Sequence, residues 1–444
     1  MSTPHRPDSP QPAGQVPAVP QPAGQVLAVP QPVGPGATAP PPAAPAAPEA
    51  VLAALERTTD QIIGREDLLD RLREGRPLRI KFGVDLTAPD LHLGHAVNLW
   101  MMRVLQDQGH TVIFLLGDTT SRIGDPTGRS TTRPVLTEEQ IRENAESFLA
   151  QVTRVLRSEP ELLRIRRNSE WFDEMGVPGL LRELSLVTHA HLVSRDMFRA
   201  RLAAGSEIAM HELIYPVLQG FDSVALDSDL TIVGTDQLFN EAMGRELQVK
   251  HGQRPQTVIT STVTPGLDGG PKQSKSLGNY VALCASPGEK FGRLMTLQDE
   301  LVGTWARVYT DLPLAQCAEL GRRADAGGAA ARDAKLDLAE AVVRRHDGAD
   351  AARHSREEFV RVFSAGERPT DMTPLPLEPG TRTALDLVLA ARPELSRSAA
   401  RRLLSGGAVT LEDSRLREAE EEVAVRDGQV VKAGRRRWFR IEMP

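Results

Sequence analysis

A doubly wound α/β fold is what this sequence predicts, and three stretches predict it. Residues 78–109, LRIKFGVDLTAPDLHLGHAVNLWMMRVLQDQG, read as strand, loop and helix. TVIFLLGD (111–118) follows as a second strand. LTIVGTDQ (230–237) and QTVITS (256–261) repeat the theme around a helix that begins near Asn240. Strands alternating with helices pair in parallel, with helices covering both faces of the sheet.

Within 78–109, Leu78 to Val84 is rich in β-branched and aromatic residues, whereas the text before it is charged. A loop with Asp85, Thr87 and Pro89 leads to a helix whose apolar residues Leu93, Val97, Trp100, Met101, Val104 and Leu105 recur at helical spacing. Gly109 suits the stop. The strand-to-helix junction holds His92 and His95 with Gly94 between them. A helix N-terminus offers unpaired N–H groups and partial positive charge, which suit a phosphate. Gly94, lacking a Cβ, lets a ligand lie against backbone. Two structural or metal-binding histidines would be the plainer explanation, but the metal-ligand company of cysteines or further histidines is missing nearby.

Composition narrows the class. The 444 residues suffice for two or three domains, and 40% hydrophobic with 25% charged residues fits a soluble globular protein. No apolar run is long enough to span a bilayer. The net charge of −6 confines any nucleic-acid binding to local patches. Two cysteines, Cys284 and Cys317, make no disulfide framework, so a reducing cytoplasm is expected. Only seven of the 53 basic residues are lysine, yet Lys272 and Lys275 share one pentapeptide, KQSKS. That economy marks a place where compact point charges are wanted.

In chain order, residues 1–48 are Pro-, Ala- and Gln-rich with PQPAGQV repeated, and are expected to be a disordered tail. Residues 49–77 read as one or two helices. The loop TTSRIGDPTGRSTTR (119–133) is rich in Gly, Thr and Arg, as a phosphate-gripping loop or a plain connection would be; it lacks the P-loop spacing. Residues 137–215 are expected as a helical insertion, and 291–366 as amphipathic helices. A Pro- and Thr-rich linker is expected at 367–381, then a small module over 382–444. In that module Arg397, Arg401 and Arg402 share a helix, and Arg435 and Arg437 precede Trp438 and Phe439 in a basic strand suited to RNA backbone contact and stacking.

HLGH resembles the H-I-G-H signature of class I aminoacyl-tRNA synthetases, and KQSKS resembles the lysine-serine-lysine loop that completes it. GDPTGRS (124–130), NSEW (168–171), YPVLQGFDSVAL (215–226), GTDQLFN (234–240) and KQSKSLGNY (272–280) extend the resemblance, across roughly 50–444, to the bacterial tyrosyl-tRNA synthetases. The resemblance implies a Rossmann-like nucleotide-binding catalytic domain (49–290) with the helical insertion, then a helical domain, then an α+β S-four-type RNA-binding domain. It implies ATP-dependent ligation of L-tyrosine to tRNA(Tyr) by a cytoplasmic, membrane-free homodimer. ATP enters as its Mg2+ complex, with no tightly bound cofactor or resident metal.

For the residues, the resemblance implies that Thr87, His92, His95, Lys272, Lys275, Arg129 and Arg133 are catalytic, handling the phosphates. Gly83, Asp85, Gly94, Gly234, Asp236, Gln237 and Ser274 bind ATP. Lys81, Asp125, Tyr215, Gln219 and Asp222 hold tyrosine, and Arg397, Arg401, Arg402, Arg435 and Arg437 touch tRNA. Leu86, Thr119, Arg122, His191, Val233, Leu238 and Gln273 depart from the family pattern. A diverged paralogue that activates a tyrosine analogue, and a non-catalytic RNA-binding homologue, therefore remain alternative readings.

Overall fold

The structure, a computed structural model, describes residues 46–85, 91–126, 137–275, 277–363, 368, 372–434 and 437–443. The expected tail, apart from its last three residues, lies outside them, as do Thr87, Arg129, Arg133 and Arg435. The chain divides into two compact units, the first ending at Arg353 and the second beginning at His354.

The first unit opens with α1 (Pro48–Glu56), β1 (Thr59–Ile63), α2 (Arg65–Arg73) and β2 (Arg79–Val84). Then come α3 (Leu93–Gln106), β3 (Thr111–Leu116), α4 (Asp118–Ile123), α5 (Glu138–Val152) and β4 (Leu163–Arg167). Helices α6 (Ser169–Ser185), α7 (His189–Val193), α8 (Asp196–Ala203) and α9 (Met210–Ala225) lead to β5 (Leu230–Val233), α10 (Leu238–Lys250) and β6 (Thr257–Ser261). The helices α11 (Pro287–Leu294), α12 (Val302–Tyr309), α13 (Leu314–Asp325) and α14 (Gly328–Asp347) follow, and α15 (Ala349–Phe363) begins in this unit and ends in the second.

The six strands form one sheet in the order β1-β6-β5-β2-β3-β4. All neighbours run parallel except β1, which joins β6 antiparallel. The chain winds outward through β3 and β4 on one side of β2, and through β5 and β6 on the other. A crevice therefore opens where β2 and β5 diverge, the usual ligand position in such sheets. TVIFLL of β3 is buried along its whole length, which is why it reads as a continuous apolar run.

Two expectations need correction here. The 49–77 stretch holds a strand as well as helices: the short TDQII is an edge strand, too brief for its period to stand out between two helices. The segment 137–215 is not purely a helical insertion, because LRIRR forms β4 beside β3. Its alternation buries Leu163 and Ile165 and leaves Arg164 and Arg166 on the other face.

The second unit contains β7 (Thr373–Pro376), β8 (Gly380–Thr383), α16 (Ala384–Ala391), α17 (Arg397–Ser405), β9 (Val409–Leu411), β10 (Ser414–Leu416), β11 (Glu422–Val425), β12 (Val430–Ala433) and β13 (Trp438–Glu442). Its sheets are β10-β9-β12-β13-β7 and the pair β11-β8. Leu385, Val388, Leu404, Val431 and Ile441 pack in its core. Much of the stretch read as a linker is thus part of this unit, since β7 pairs with β13 and β8 with β11. A strand of TPLP composition hides well in sequence, but parallel pairing at a sheet edge tolerates its prolines.

Candidate active site

The residues at the crevice come from the carboxyl ends of β2, β3 and β5 and from α9. Lys81, Gly83, Asp85, Asp125, Tyr215, Gln219, Asp222 and Gln237 line one cavity of about 240 Å³, together with Gly117, Thr120, Val233 and Glu241. Every residue expected to hold tyrosine is in that wall.

Asp222 is buried in that wall, 4% exposed. Trp171 of α6 donates its indole N–H to Asp222 Oδ1 at 3.0 Å. Burial pushes the Asp222 carboxyl up to about 8, against the pull of Lys81 and the hydrogen bonds from Trp171 and Asn168. Tyr215 donates its hydroxyl to Asp85 Oδ2 at 2.8 Å, and Thr120 donates to Asp85 Oδ1 at 3.0 Å. Burial holds the Tyr215 phenol well above its ordinary value, with Asp85 and Asp125 acting in the same direction. The hydroxyl is therefore a permanent donor at neutral pH.

Lys81 is the oddity of β2, a lysine that is 2% exposed. Its ammonium is 2.9 Å from Glu241 Oε2 and donates to Ser223 Oγ at 2.7 Å and to the Gln219 carbonyl at 3.4 Å. Glu241 in turn accepts from Gln219 Nε2 at 2.8 Å and from Gln256 Nε2 at 2.9 Å. Asn240 donates to Gln219 Oε1 at 2.8 Å and to Gln237 Oε1 at 3.1 Å, and Gln237 donates to Asp125 Oδ2 at 2.8 Å. One chain of hydrogen bonds thus runs along the wall from Lys81 to Asp125.

His92 is the N-cap of α3: Gly94 N–H donates to its Nδ1 at 3.1 Å. His92 N–H donates to His95 Nδ1 at 3.2 Å, and the two ring centroids are 3.9 Å apart. Desolvation lowers His92 to about 3, with His95, Lys275 and Lys272 adding to it. His95 has an edge open to solvent, but dense surroundings and Lys275 lower it to about 4. Both rings are neutral near pH 7, and with Nδ1 accepting in each, the proton sits on Nε2. Each histidine therefore presents one N–H donor. Gly94 has a steric reason to be glycine, because a Cβ there would stand 2.9 Å from the His92 ring.

The lysine loop comes to the same place. Leu93 N–H donates to the Val281 carbonyl at 3.0 Å, and Leu283 N–H to Leu91 at 2.9 Å, so 281–283 lies antiparallel beside the start of α3. Asn279 accepts from Ser274 N–H at 2.8 Å and donates to the Lys272 carbonyl at 3.3 Å. Asp236 follows Gly234 in a 3-10 turn after β5, and a Cβ on Gly234 would meet the Asp236 carboxylate at 2.5 Å.

Glu241, Ser223, Trp171, Asn168 and Thr120 were not singled out from sequence, although NSEW and YPVLQGFDSVAL contain three of them. A buried lysine in an apolar strand was the signal that a buried acid must answer it. In the second unit, Arg397, Arg401 and Arg402 are exposed on α17, and Arg437 is exposed before β13. Phe439 does not serve for stacking, because strand alternation turns it inward, 5% exposed; Trp438 carries the Lys432 ammonium 4.6 Å from its ring centroid.

A largely parallel sheet with a crevice at its switch point, and two neutral histidines at a helix start with a lysine loop beside them, have the make-up of a nucleotide-using enzyme. Residues 73–364 match the family described as tRNA synthetases class I (W and Y), and the chain belongs to that family. It is 42% identical over 395 residues to a Vibrio vulnificus (strain YJ016) protein named tyrosine--tRNA ligase 2, covering 88% of this chain and 98% of the relative. It is 39% identical over 394 residues to tyrosine--tRNA ligase of Thermotoga maritima, covering 89% and 98%. Among solved structures, a C-terminally truncated Aspergillus nidulans mitochondrial tyrosyl-tRNA synthetase shares the fold. Its TM-score is 0.58 and its identity 22%, covering 70% of this chain and 94% of that one.

Proposed function

We propose that this chain is a tyrosine--tRNA ligase, which joins L-tyrosine to ATP as tyrosyl adenylate and then passes the tyrosyl group to tRNA(Tyr). The observation that carries the reading is Asp222, a buried carboxyl in the wall of a cavity of about 240 Å³. Asp222 faces the phenol hydroxyl, Tyr215, Gln219 and Asp125 hold the α-amino group, and the substrate carboxylate extends toward Gln237. Phenylalanine in that cavity leaves Asp222 without its partner, and an unmatched buried polar group costs about 1–3 kcal/mol or more.

Activation is an in-line attack of the tyrosine carboxylate on the α-phosphorus of ATP; pyrophosphate leaves. No protein nucleophile is required, only positioning and charge stabilisation. The Nε2–H donors of His92 and His95 and the ammonium groups of Lys272 and Lys275 supply these, with Thr87, Arg129 and Arg133 assigned to the same phosphates. Gly94 and Gly234 let the nucleotide lie on backbone, Asp236 holds the ribose, and Gly83, Asp85 and Ser274 complete the ATP site. ATP arrives as its Mg2+ complex.

The exposed arginines of α17 and Arg437, with Arg435, bind the tRNA backbone. The protein works as a cytoplasmic homodimer; among the described residues no helix is long and apolar enough to cross a membrane. Exposed Val177, Leu181, Leu202 and Met210, all in the segment 137–215, support a partner surface there. The test is tyrosine-dependent exchange of labelled pyrophosphate into ATP. Stimulation by tyrosine supports the reading, and stimulation by a different amino acid or a tyrosine analogue alone overturns it.

A further inference from the structure

Gln273 stands inside the lysine loop, between Lys272 and Ser274, and is 6% exposed. Its Nε2 donates to the Tyr309 hydroxyl at 2.7 Å and to Thr264 Oγ1 at 3.2 Å. The Tyr309 and Thr264 hydroxyls are also hydrogen-bonded to each other. Tyr309 is the last residue of α12, 2% exposed, with its ring centroid 4.8 Å from that of Trp305. The Gln273 amide nitrogen and the two hydroxyls therefore pair with one another beside Trp305, while Gln273 Oε1 is buried without a hydrogen-bond partner. Burying polar groups is costly unless they are paired, so the amide N–H groups and the two hydroxyls beneath them hold one another in place.

The other side of the loop is held by Asn279, which bonds the backbone at Lys272 and Ser274 and donates to Asp268 Oδ1 at 2.8 Å. The Gln273 amide nitrogen lies 3.6 Å from where a Cβ on Gly94 would stand, so the contact sits over the first turn of α3. Backbone pinned on one side and side chain pinned on the other leave the loop little freedom.

We propose that Gln273 is a positioning residue that latches the lysine loop onto Tyr309 of α12 and Thr264 of the segment after β6, and so keeps Lys272 and Lys275 beside His92. The kinetic half of this proposal rests on the synthetase reading above. The latch couples the loop to α12, and a change in α12 reaches the phosphates through one carboxamide.

The full-length chain is compared with Gln273→Ala, Gln273→Met, Tyr309→Phe and the double variant Gln273→Met/Tyr309→Phe. Backbone hydrogen exchange at 272–275 is followed without ligands, and kcat and KM are measured in tyrosine-dependent pyrophosphate exchange. Each single variant speeds loop exchange and lowers kcat about tenfold while the tyrosine KM stays within about twofold. The double variant is no worse than the poorer single one, because each change removes the same contact. Unchanged loop exchange in Gln273→Ala overturns the latch, as do single-variant effects that multiply in the double variant. Wild-type chain without tyrosine-dependent exchange overturns the synthetase reading instead, while the loop exchange rates still decide the latch.

Discussion

Lys81 and Glu241 form an ion pair at 2.9 Å with both side chains only 2% exposed. The pair is part of the cavity wall, and Lys81 is the charge that most opposes the upward shift of Asp222. Its three protons already face Glu241, Ser223 and Gln219, so the lysine serves the pocket through these groups.

Breaking that pair from one side strands a charge. Lys81→Met is expected to lower the unfolding free energy in urea by about 3–5 kcal/mol. Lys81→Met/Glu241→Gln, which leaves no buried charge, recovers most of the loss. Equal losses in the single and double variants would show that the pair does not act as a unit.

Asp222 makes stability depend on pH. Aspartate in an unfolded chain titrates near 4, whereas burial lifts Asp222 to about 8. Between those values the folded chain keeps a proton that the unfolded chain releases. Stability therefore falls as pH rises through this window, by up to about 1.4 kcal/mol per unit. Asp222→Asn is expected to gain on wild type progressively from pH 4 to 8 in denaturant titrations, while tyrosine activation is lost. A gap between the two proteins that does not change with pH would contradict the assignment.

The histidines predict a flat acid side. His92 and His95 are held at about 3 and about 4, below the ordinary value, so both stay neutral as pH falls from 7 to about 5.5. Tyrosine-dependent exchange should keep its rate over that range. An acid limb near pH 6.5 that vanishes in His92→Gln would mean that the ring is charged at rest.

Gly94→Ala separates stability from activity. Alanine is the better helix former by about 1 kcal/mol, but its Cβ would stand 2.9 Å from the His92 ring. The ring must turn away, so exchange activity is expected to fall at least about tenfold while the melting temperature holds or rises. Full activity in this variant would show that the cap geometry of His92 is dispensable.

Removing the second unit upstream of β7 should leave adenylate formation intact and weaken aminoacylation. Each lost arginine–phosphate contact should flatten the slope of log affinity for tRNA against log salt by about 0.7–0.9. Arg401→Ala and Arg437→Ala test this singly, although Arg401 already meets Glu420 at 3.1 Å and should contribute less. Joint loss of thermal stability and adenylate formation on truncation would remove the tRNA assignment.

The strands and helices that build the crevice were legible because they are long or strongly periodic: TVIFLL could only be a buried strand, and 93–105 only an amphipathic helix. What stayed hidden was short or depended on partners. TDQII and TPLP are strands because β6 and β13 lie beside them, a fact their own residues do not carry. In the site, motif resemblance pointed to Asp222 and Tyr215. The residues that hold them, Trp171, Asn168 and Glu241, act through contacts between segments far apart in sequence, and no local pattern records those. Gln273 departs from the family pattern, and its partners Tyr309 and Thr264 lie outside the motif.

The backbone bonds from Leu93 to Val281 and from Leu283 to Leu91 act as a ruler between the two signatures. Adding one residue between Lys275 and Val281 would displace the lysines by about 3.3 Å or turn the paired segment over, since strand side chains alternate with period two. Loop length here is therefore an inherited quantity as strict as residue identity. Insertions that distinguish homologues should avoid the few residues between the second lysine and the bridge.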